Sequence, residues 1–226
     1  MIPLKDRIPH KSFPFITLLL IAGNCAIFIQ ELLLTAPQRD LLVQSYALVP
    51  WKSTAIFLGH DVPVAQAFLP FITSMFLHGG WMHIIGNMWF LWIFGDNVED
   101  RLGHVRYLAF YLGSGLVGAL AHVAFNFASL VPTLGASGAV AGVMGAYLVL
   151  FPGARILTLV PIFVFLTTVE LPAYVILLYW ILLQFLSGTV SLAMSDASAG
   201  GVAWFAHIGG FLGGIVLLFL LRKGHR

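Results

Sequence analysis

Six long apolar segments divide this 226-residue chain, and they constrain its fold more than any other feature. Hydrophobic residues make up 60% of the chain and charged residues only 9%, whereas soluble domains carry about 25% charged residues. The segments cover roughly residues 13–30, 81–94, 105–127, 137–151, 171–186 and 202–221. We predict an all-α, polytopic membrane protein with six transmembrane helices, forming a single domain over residues 1–226 because no repeat divides the sequence.

The distribution of Lys and Arg predicts how these helices are oriented. With the N-terminus inside and six spans, nine of the eleven basic residues are cytoplasmic, as the positive-inside rule requires. Only Arg39 and Lys52 lie outside, in a long outer loop of residues 32–80. We therefore expect both termini in the cytoplasm and an integral protein of a bacterial-type inner membrane. The net charge of +2 is too small to indicate a nucleic-acid partner.

His207 is the one titratable residue placed inside the last apolar segment. An ionisable group within a membrane span is costly, which makes it a candidate for function. Gly210 and Gly214 follow on the same helical face, and small residues on such a face allow a second helix to approach closely. The sequence therefore predicts a helix pressed against His207.

The fourth apolar segment supplies a matching small face and a serine. Small residues recur there every four positions, at Ser137, Ala141 and Gly145, with Gly138 and Gly142 beside them. At about 1.5 Å per residue the segment measures roughly 22 Å, less than the about 30 Å of a bilayer core. Ser137 then lies at a depth similar to that of His207, near the outer leaflet. We predict a catalytic Ser–His dyad, because serine is a weak nucleophile without an adjacent base.

His83 and Asn87 in the second segment are separated by one helical turn, at the same predicted depth. Together with the backbone N–H of Ser137, they can point hydrogen-bond donors at one spot, as a developing oxyanion requires. The second and fourth segments are both short, which predicts a water-filled pocket that opens outward. The histidines lack a metal-ligand pattern such as His-x-x-Glu-His, so we expect neither a metal nor another cofactor.

Each of these features also has a purely structural interpretation. Small residues at a spacing of four are an ordinary helix-packing pattern, and His207 alone is compatible with a hydrogen-bonded core histidine. His83 and Asn87 alone are compatible with polar contacts between helices. The agreement of the four polar side chains in side and depth favours a functional site.

Three motifs resemble those of the rhomboid intramembrane serine proteases. They are FLHGGWMHIIGNM at residues 76–88, GASG at 135–138, and AHIGG at 206–210 followed by Gly214. The resemblance implies a six-helix core with Ser137 as the nucleophile and His207 as the base. It also implies an oxyanion site that uses His83 and Asn87.

Two positions depart from the family pattern. Leu69-Pro70 stands where many members carry a Trp-Arg pair, and Ala141 stands where some carry a tyrosine stacked on the catalytic histidine. We therefore expect another group, which the sequence does not identify, to steady His207. Trp180 and Gln184 are interpreted as interhelical packing and hydrogen bonding, and residues 153–168 as a re-entrant or interfacial segment.

The predicted function is cleavage of transmembrane protein segments in the lipid bilayer, near the outer leaflet, through an acyl-enzyme. The Ser-, Ala- and Gly-rich loop of residues 188–201 is expected to act as a lid, with Gly188, Ser195 and Gly201 in it. One alternative is a catalytically silent relative that binds membrane clients, although both Ser137 and His207 are retained. Another is a small transporter, but the sequence shows no internal symmetry or paired broken helices.

Overall fold

The computed structural model describes residues 1–9, 11–162, 165–193 and 203–222 of the chain. Within them the elements are, in order, β1 (Ile2–Asp6), α1 (Phe15–Leu33), α2 (Ala36–Tyr46), α3 (Pro50–Ala55), α4 (Val64–Phe68), α5 (Pro70–Thr73), α6 (Trp81–Leu102), α7 (His104–Phe125), α8 (Ser137–Leu150), β2 (Arg155–Ile162), β3 (Phe165–Pro172), α9 (Ala173–Ala193) and α10 (Trp204–Leu221). Two 3-10 turns, Ile56–Leu58 and Ser74–Phe76, follow α3 and α5.

The helices of the described chain confirm a multi-pass membrane protein. Four of them, α1, α7, α9 and α10, are long and apolar enough to cross a bilayer. A fifth candidate combines α6 with Val64–Phe76, which meets it at a bend of 74°. The helix α8 is apolar but has only 14 residues. The count of six spans and the cytoplasmic position of both termini stay predictions.

The second predicted span is not short, and this expectation was wrong. The helix α6 has 22 residues and continues past the end of its apolar stretch to Leu102. Its polar end includes Glu99, which is fully buried. The Glu99 carboxylate accepts hydrogen bonds from the backbone N–H groups of Ile16 and Thr17, both at 2.8 Å, and from the Thr17 hydroxyl at 2.7 Å. These N–H groups have no acceptor within α1, so a carboxylate from α6 caps that helix.

The helix α8 runs through the centre of the bundle. Its residues from Gly138 to Tyr147 are all buried. Glycines bring its backbone against that of α10: a Cβ on Gly210 would overlap the carbonyl group of Gly138, and one on Gly214 would overlap the backbone of Gly142. The four glycines for which we predicted a helix-packing role therefore lie where these two backbones touch.

The helix α7 packs against both α8 and α10. A Cβ on Gly118 would overlap the carbonyl oxygen of Ala206 in α10, and its nearest neighbours include the Cα of Gly138 in α8. Three helices thus meet with little or no side chain between their backbones, an arrangement that small residues permit.

A small antiparallel sheet, in the order β1–β2–β3, joins the N-terminus to the segment between α8 and α9. The all-α prediction omitted it. Ile2 pairs with Leu159, so the sheet depends on a contact that is remote in sequence. Pro161 lies in β2, beyond the residues that pair with β1. The edge of β2 on the β1 side is therefore unpaired at this position, and such an edge tolerates proline. The interpretation of this stretch as re-entrant or interfacial did not anticipate a hairpin.

Buried hydrogen bonds tie β1 to the helices. Oδ2 of Asp6 accepts hydrogen bonds from the Tyr147 hydroxyl of α8 and from Nδ2 of Asn97 in α6, both at 2.8 Å. The indole N–H of Trp89 donates to the carbonyl oxygen of Pro3 at 2.7 Å. The first strand is therefore fastened to the two helices that carry three of the candidate site residues.

Replacing Glu99 by Gln tests the cap on α1. The neutral amide weakens charge-assisted hydrogen bonds, each worth about 1.5–3 kcal/mol, and it turns a donor toward backbone N–H groups. We expect a clearly lower apparent unfolding temperature in detergent micelles. The matched control is Glu170→Gln, which removes an exposed pair with Arg7 and should have little effect. Equal unfolding temperatures for the two variants would contradict the capping role.

Replacing Gly210 by Ala tests the contact between α8 and α10. The added methyl group would overlap the carbonyl group of Gly138, and such overpacking typically costs about 1–3 kcal/mol. The control is Gly23→Ala on α1, where an added Cβ meets no atom within 4 Å. We expect thermal unfolding at a lower temperature for Gly210→Ala only. If Gly23→Ala lowered the unfolding temperature as much as Gly210→Ala does, the contact between α8 and α10 would not explain the effect.

Candidate active site

Ser137 and His207 meet where α8 and α10 come into contact. Ser137 is the first residue of α8, and His207 lies in the first turn of α10. The Ser137 Oγ is 2.8 Å from Nε2 of His207. The imidazole is 8% exposed, and the serine is half-buried. The structure thus brings together a hydroxyl and a potential base at hydrogen-bonding distance.

Two residues of α9, the fifth predicted span, hold the imidazole of His207 in place. Nδ1 of His207 lies 2.6 Å from Oε1 of Gln184 on α9. The indole of Trp180, one turn earlier, packs on the imidazole with ring centroids 5.6 Å apart and planes tilted by 34°. These are the partners that sequence analysis could not identify. Their spacing of one helical turn predicted packing and an interhelical hydrogen bond, but it did not indicate that His207 is the partner.

His83 and Asn87 lie on α6 beside the segment that leads into Ser137. A Cβ on Gly135 would overlap the imidazole of His83 and would lie 3.7 Å from Nδ2 of Asn87. Gly135 has a φ of 127°, a conformation that side chains rarely adopt. A glycine is therefore needed here for both the backbone turn and the close approach of His83.

Both of these α6 side chains have a donor available for a ligand. Nδ2 of Asn87 is buried and donates no hydrogen bond to any described residue. Nδ1 of His83 accepts a long hydrogen bond of 3.5 Å from the backbone N–H of Gly79, which favours the proton on Nε2. The N–H of Ser137 lies in the first turn of α8, where helix geometry leaves donors without an intrahelical acceptor.

His78 and Glu31 form a buried layer behind His83. The His78 ring packs edge-on against the His83 ring, with centroids 5.2 Å apart. Oε1 of Glu31 on α1 accepts a hydrogen bond of 3.3 Å from the backbone N–H of His78. The sequence indicated no role for either residue. In the structure, His78 packs on the ring of His83, and Glu31 holds the backbone of His78.

The connection between α1 and α6 holds the chain just before α8. Leu48 and Thr133 form an isolated antiparallel bridge, with N–H to carbonyl distances of 2.9 and 2.7 Å. The N–H of Gly135 donates to the carbonyl oxygen of Ser74 at 2.8 Å. The Thr133 hydroxyl is also 2.9 Å from Nε2 of His122 on α7. The position of Ser137 is thus fixed on the loop side as well as by α10.

A cavity of about 770 Å³ contains the Ser137 and His207 side chains together with His83 and Asn87. Its remaining wall is mostly apolar and includes Phe90, Val140, Ala141, Met144 and Trp180. Ala141 and Met144 lie one and two turns after Ser137, so the cavity continues along α8. No cluster of three metal-ligating side chains occurs among the described residues.

The predicted lid is only partly described. Gly188 was placed in this loop, but it lies within α9, since that helix continues to Ala193. A Cβ on Gly188 would be 3.2 Å from Cβ of Trp204, so Gly188 permits contact between α9 and α10. Ser195 and Gly201 lie outside the described residues.

Several known proteins are similar in sequence to parts of this chain. It is 34% identical over 100 residues, 43% of its length, to presenilin-associated rhomboid-like protein A, mitochondrial, of Danio rerio, covering 26% of that protein. RHOMBOID-like protein 6, mitochondrial, of Arabidopsis thaliana is 35% identical over 153 residues, which are 66% of this chain and 42% of the relative. YdcA of Bacillus subtilis is 32% identical over 105 residues, 46% of this chain and 51% of the relative.

The chain therefore covers between about a quarter and a half of these relatives. Two of them are mitochondrial by name, which does not fit the expected bacterial inner membrane. That location has no support beyond the sequence.

The Rhomboid domain family matches residues 65–224, more than half of the chain. This region includes all four polar residues of the candidate site and the helices that present them. It also confirms the resemblance that the three sequence motifs indicated. The chain belongs to the rhomboid family.

Proposed function

We propose that this protein is an intramembrane serine endopeptidase that uses Ser137 as its nucleophile and His207 as its general base. The observation that carries the proposal is the 2.8 Å distance between the Ser137 Oγ and Nε2 of His207. A serine becomes an effective nucleophile when a base within hydrogen-bonding distance can take its proton. A purely structural serine does not need a buried imidazole at this position.

The reaction has two stages. In the first, His207 takes the hydroxyl proton as the Ser137 Oγ attacks the scissile carbonyl carbon, and it then gives that proton to the leaving amine. In the second, His207 takes a proton from water, and the resulting hydroxide equivalent attacks the acyl-serine ester. The proton then returns to the Ser137 Oγ as the ester bond breaks. General-base assistance of this kind contributes about 10²–10⁴-fold to the rate.

The residues that carry the candidate oxyanion donors line one cavity. His83, Asn87 and Ser137 all contribute to its wall, so negative charge that develops on the carbonyl oxygen would have donors from α6 and α8. The N-terminal end of α8 adds the positive end of a helix dipole. Donors that are already oriented stabilise such a charge without reorganisation during the reaction.

The substrate class follows from the location of the cavity within a helical membrane bundle. Transmembrane segments of other proteins reach such a site from the lipid, and one of their apolar side chains suits the wall formed by Val140, Ala141 and Met144. A helix shields its peptide bonds, so segments with weak helix formers near the cleavage site should be preferred. We further propose six spans with both termini in the cytoplasm, which sets the Ser137 end of α8 toward the outer leaflet.

Loss of either member of the Ser–His pair should abolish activity. We expect that a fluorophosphonate probe labels the wild-type protein in detergent, and that Ser137→Ala and His207→Ala lose both labelling and cleavage of a single-span substrate. Removal of the base should reduce the rate by about 10²–10⁴-fold. A folded wild-type protein that neither labels nor cleaves would instead indicate a silent binder of membrane clients.

Removal of one oxyanion donor should slow the chemical step. Asn87→Ala is expected to lower kcat by about 10²–10³-fold, with a small change in KM, because the donor acts on charge that exists only in the transition state. The matched control is Asn24→Ala on α1, which removes a buried amide that donates to the carbonyl oxygen of Leu20. A kcat for Asn87→Ala close to that of the control would exclude Asn87 from the oxyanion site.

A further inference from the structure

We propose that Gln184 is a positioning residue that fixes the tautomer of His207, so that the site functions as a Ser–His–Gln triad. This inference rests on the proposed protease function. It begins from the short distance of 2.6 Å between Oε1 of Gln184 and Nδ1 of His207. Both side chains are buried, at 7% and 8% exposure, so water does not compete for this contact.

The chemistry of the amide oxygen determines which imidazole nitrogen carries the proton. An amide oxygen accepts hydrogen bonds and cannot donate them, so the proton of neutral His207 must lie on Nδ1. The lone pair of Nε2 then points toward the Ser137 hydroxyl, 2.8 Å away. The other tautomer would direct an N–H at the serine oxygen, and His207 could then not accept the serine proton.

The amide of Gln184 is itself held by its own helix. Its Nε2 donates a hydrogen bond of 3.4 Å to the carbonyl oxygen of Trp180, one turn earlier on α9. With the NH₂ group directed at this carbonyl oxygen, the amide oxygen is left to face His207. The indole of Trp180 covers the imidazole ring, so α9 restrains His207 both in its plane and across its face.

A neutral orienting group suits this location. A carboxylate in the same place would have to be buried beside an imidazole among apolar helices, and the desolvation of a charge costs several kcal/mol. An amide oxygen orients the imidazole through one hydrogen bond without that cost. The third member of the triad is therefore compatible with a membrane interior, where a buried carboxylate is expensive.

The variant Gln184→Met removes the acceptor while it keeps the length and flexibility of the side chain. We expect kcat for a single-span substrate to fall by about 10- to 100-fold, the loss typical for removal of a partner that orients a functional histidine. KM and the apparent unfolding temperature should change little. The control is Thr189→Val, which removes an exposed hydrogen bond to the carbonyl oxygen of Leu186 in the same helix and should keep wild-type kcat.

A second variant separates orientation from packing. Gln184→Glu keeps an acceptor oxygen in either protonation state, so it should retain a kcat above that of Gln184→Met. A purely structural role predicts that Glu is the more disruptive of the two, because it introduces an ionisable group. A lower kcat for Gln184→Glu than for Gln184→Met therefore overturns the inference.

The tautomer can be measured directly by ¹⁵N NMR of histidine-labelled protein in lipid, with His207→Ala used for assignment. In the wild type, Nδ1 of His207 should be protonated and Nε2 should show the shift of an unprotonated nitrogen. Gln184→Met should populate the second tautomer, and an unchanged spectrum overturns the inference. This measurement does not depend on turnover. A wild-type protein that shows the Nδ1–H tautomer but cleaves nothing therefore refutes the proposed function and not the role of Gln184.

Discussion

The contact between the backbones of α8 and α10 is the constraint on which the candidate site depends. Gly210 and Gly214 of α10 leave no room for a Cβ against the backbone of α8, so the first turns of both helices come close enough for a hydroxyl and an imidazole to meet at 2.8 Å. A serine side chain is short, and its reach is set by the helix that carries it. Helix packing, rather than side-chain length, therefore brings Ser137 and His207 together.

The groups proposed to act on a substrate are a serine, amides and histidines, whereas the buried carboxylates have structural partners. Asp6 and Glu99 lie toward the opposite ends of α6 and α8, where each accepts at least two hydrogen bonds. Glu31 lies behind the candidate site and accepts a hydrogen bond from the backbone N–H of His78. Burial of charge is favourable only with such partners. The helix α6 thus presents donors to the cavity at one end and caps a neighbouring helix at the other.

Much of the bundle and of the candidate site was predictable, because composition and spacing are local signals. The apolar segments located the long helices, and the small residues of α8 and α10 indicated which helices approach closely. The end of α6 was misjudged because helix continuation there depends on the contact of Glu99 with α1, which a hydropathy pattern does not contain. The sheet was missed since β1 and β2 stabilise each other from distant parts of the chain. The sequence indicated that Gln184 makes an interhelical hydrogen bond, but the identity of its partner depends on how α9 packs.

The attachment of β1 has a consequence for the order of assembly. The hydroxyl of Tyr147 that binds Asp6 belongs to a residue 141 positions later, and the partner strand β2 follows it. During synthesis β1 must therefore remain without Tyr147 and β2 until α1, α6, α7 and α8 have been made. The strand β1 can therefore complete its contacts only after the helices on which it packs have been made.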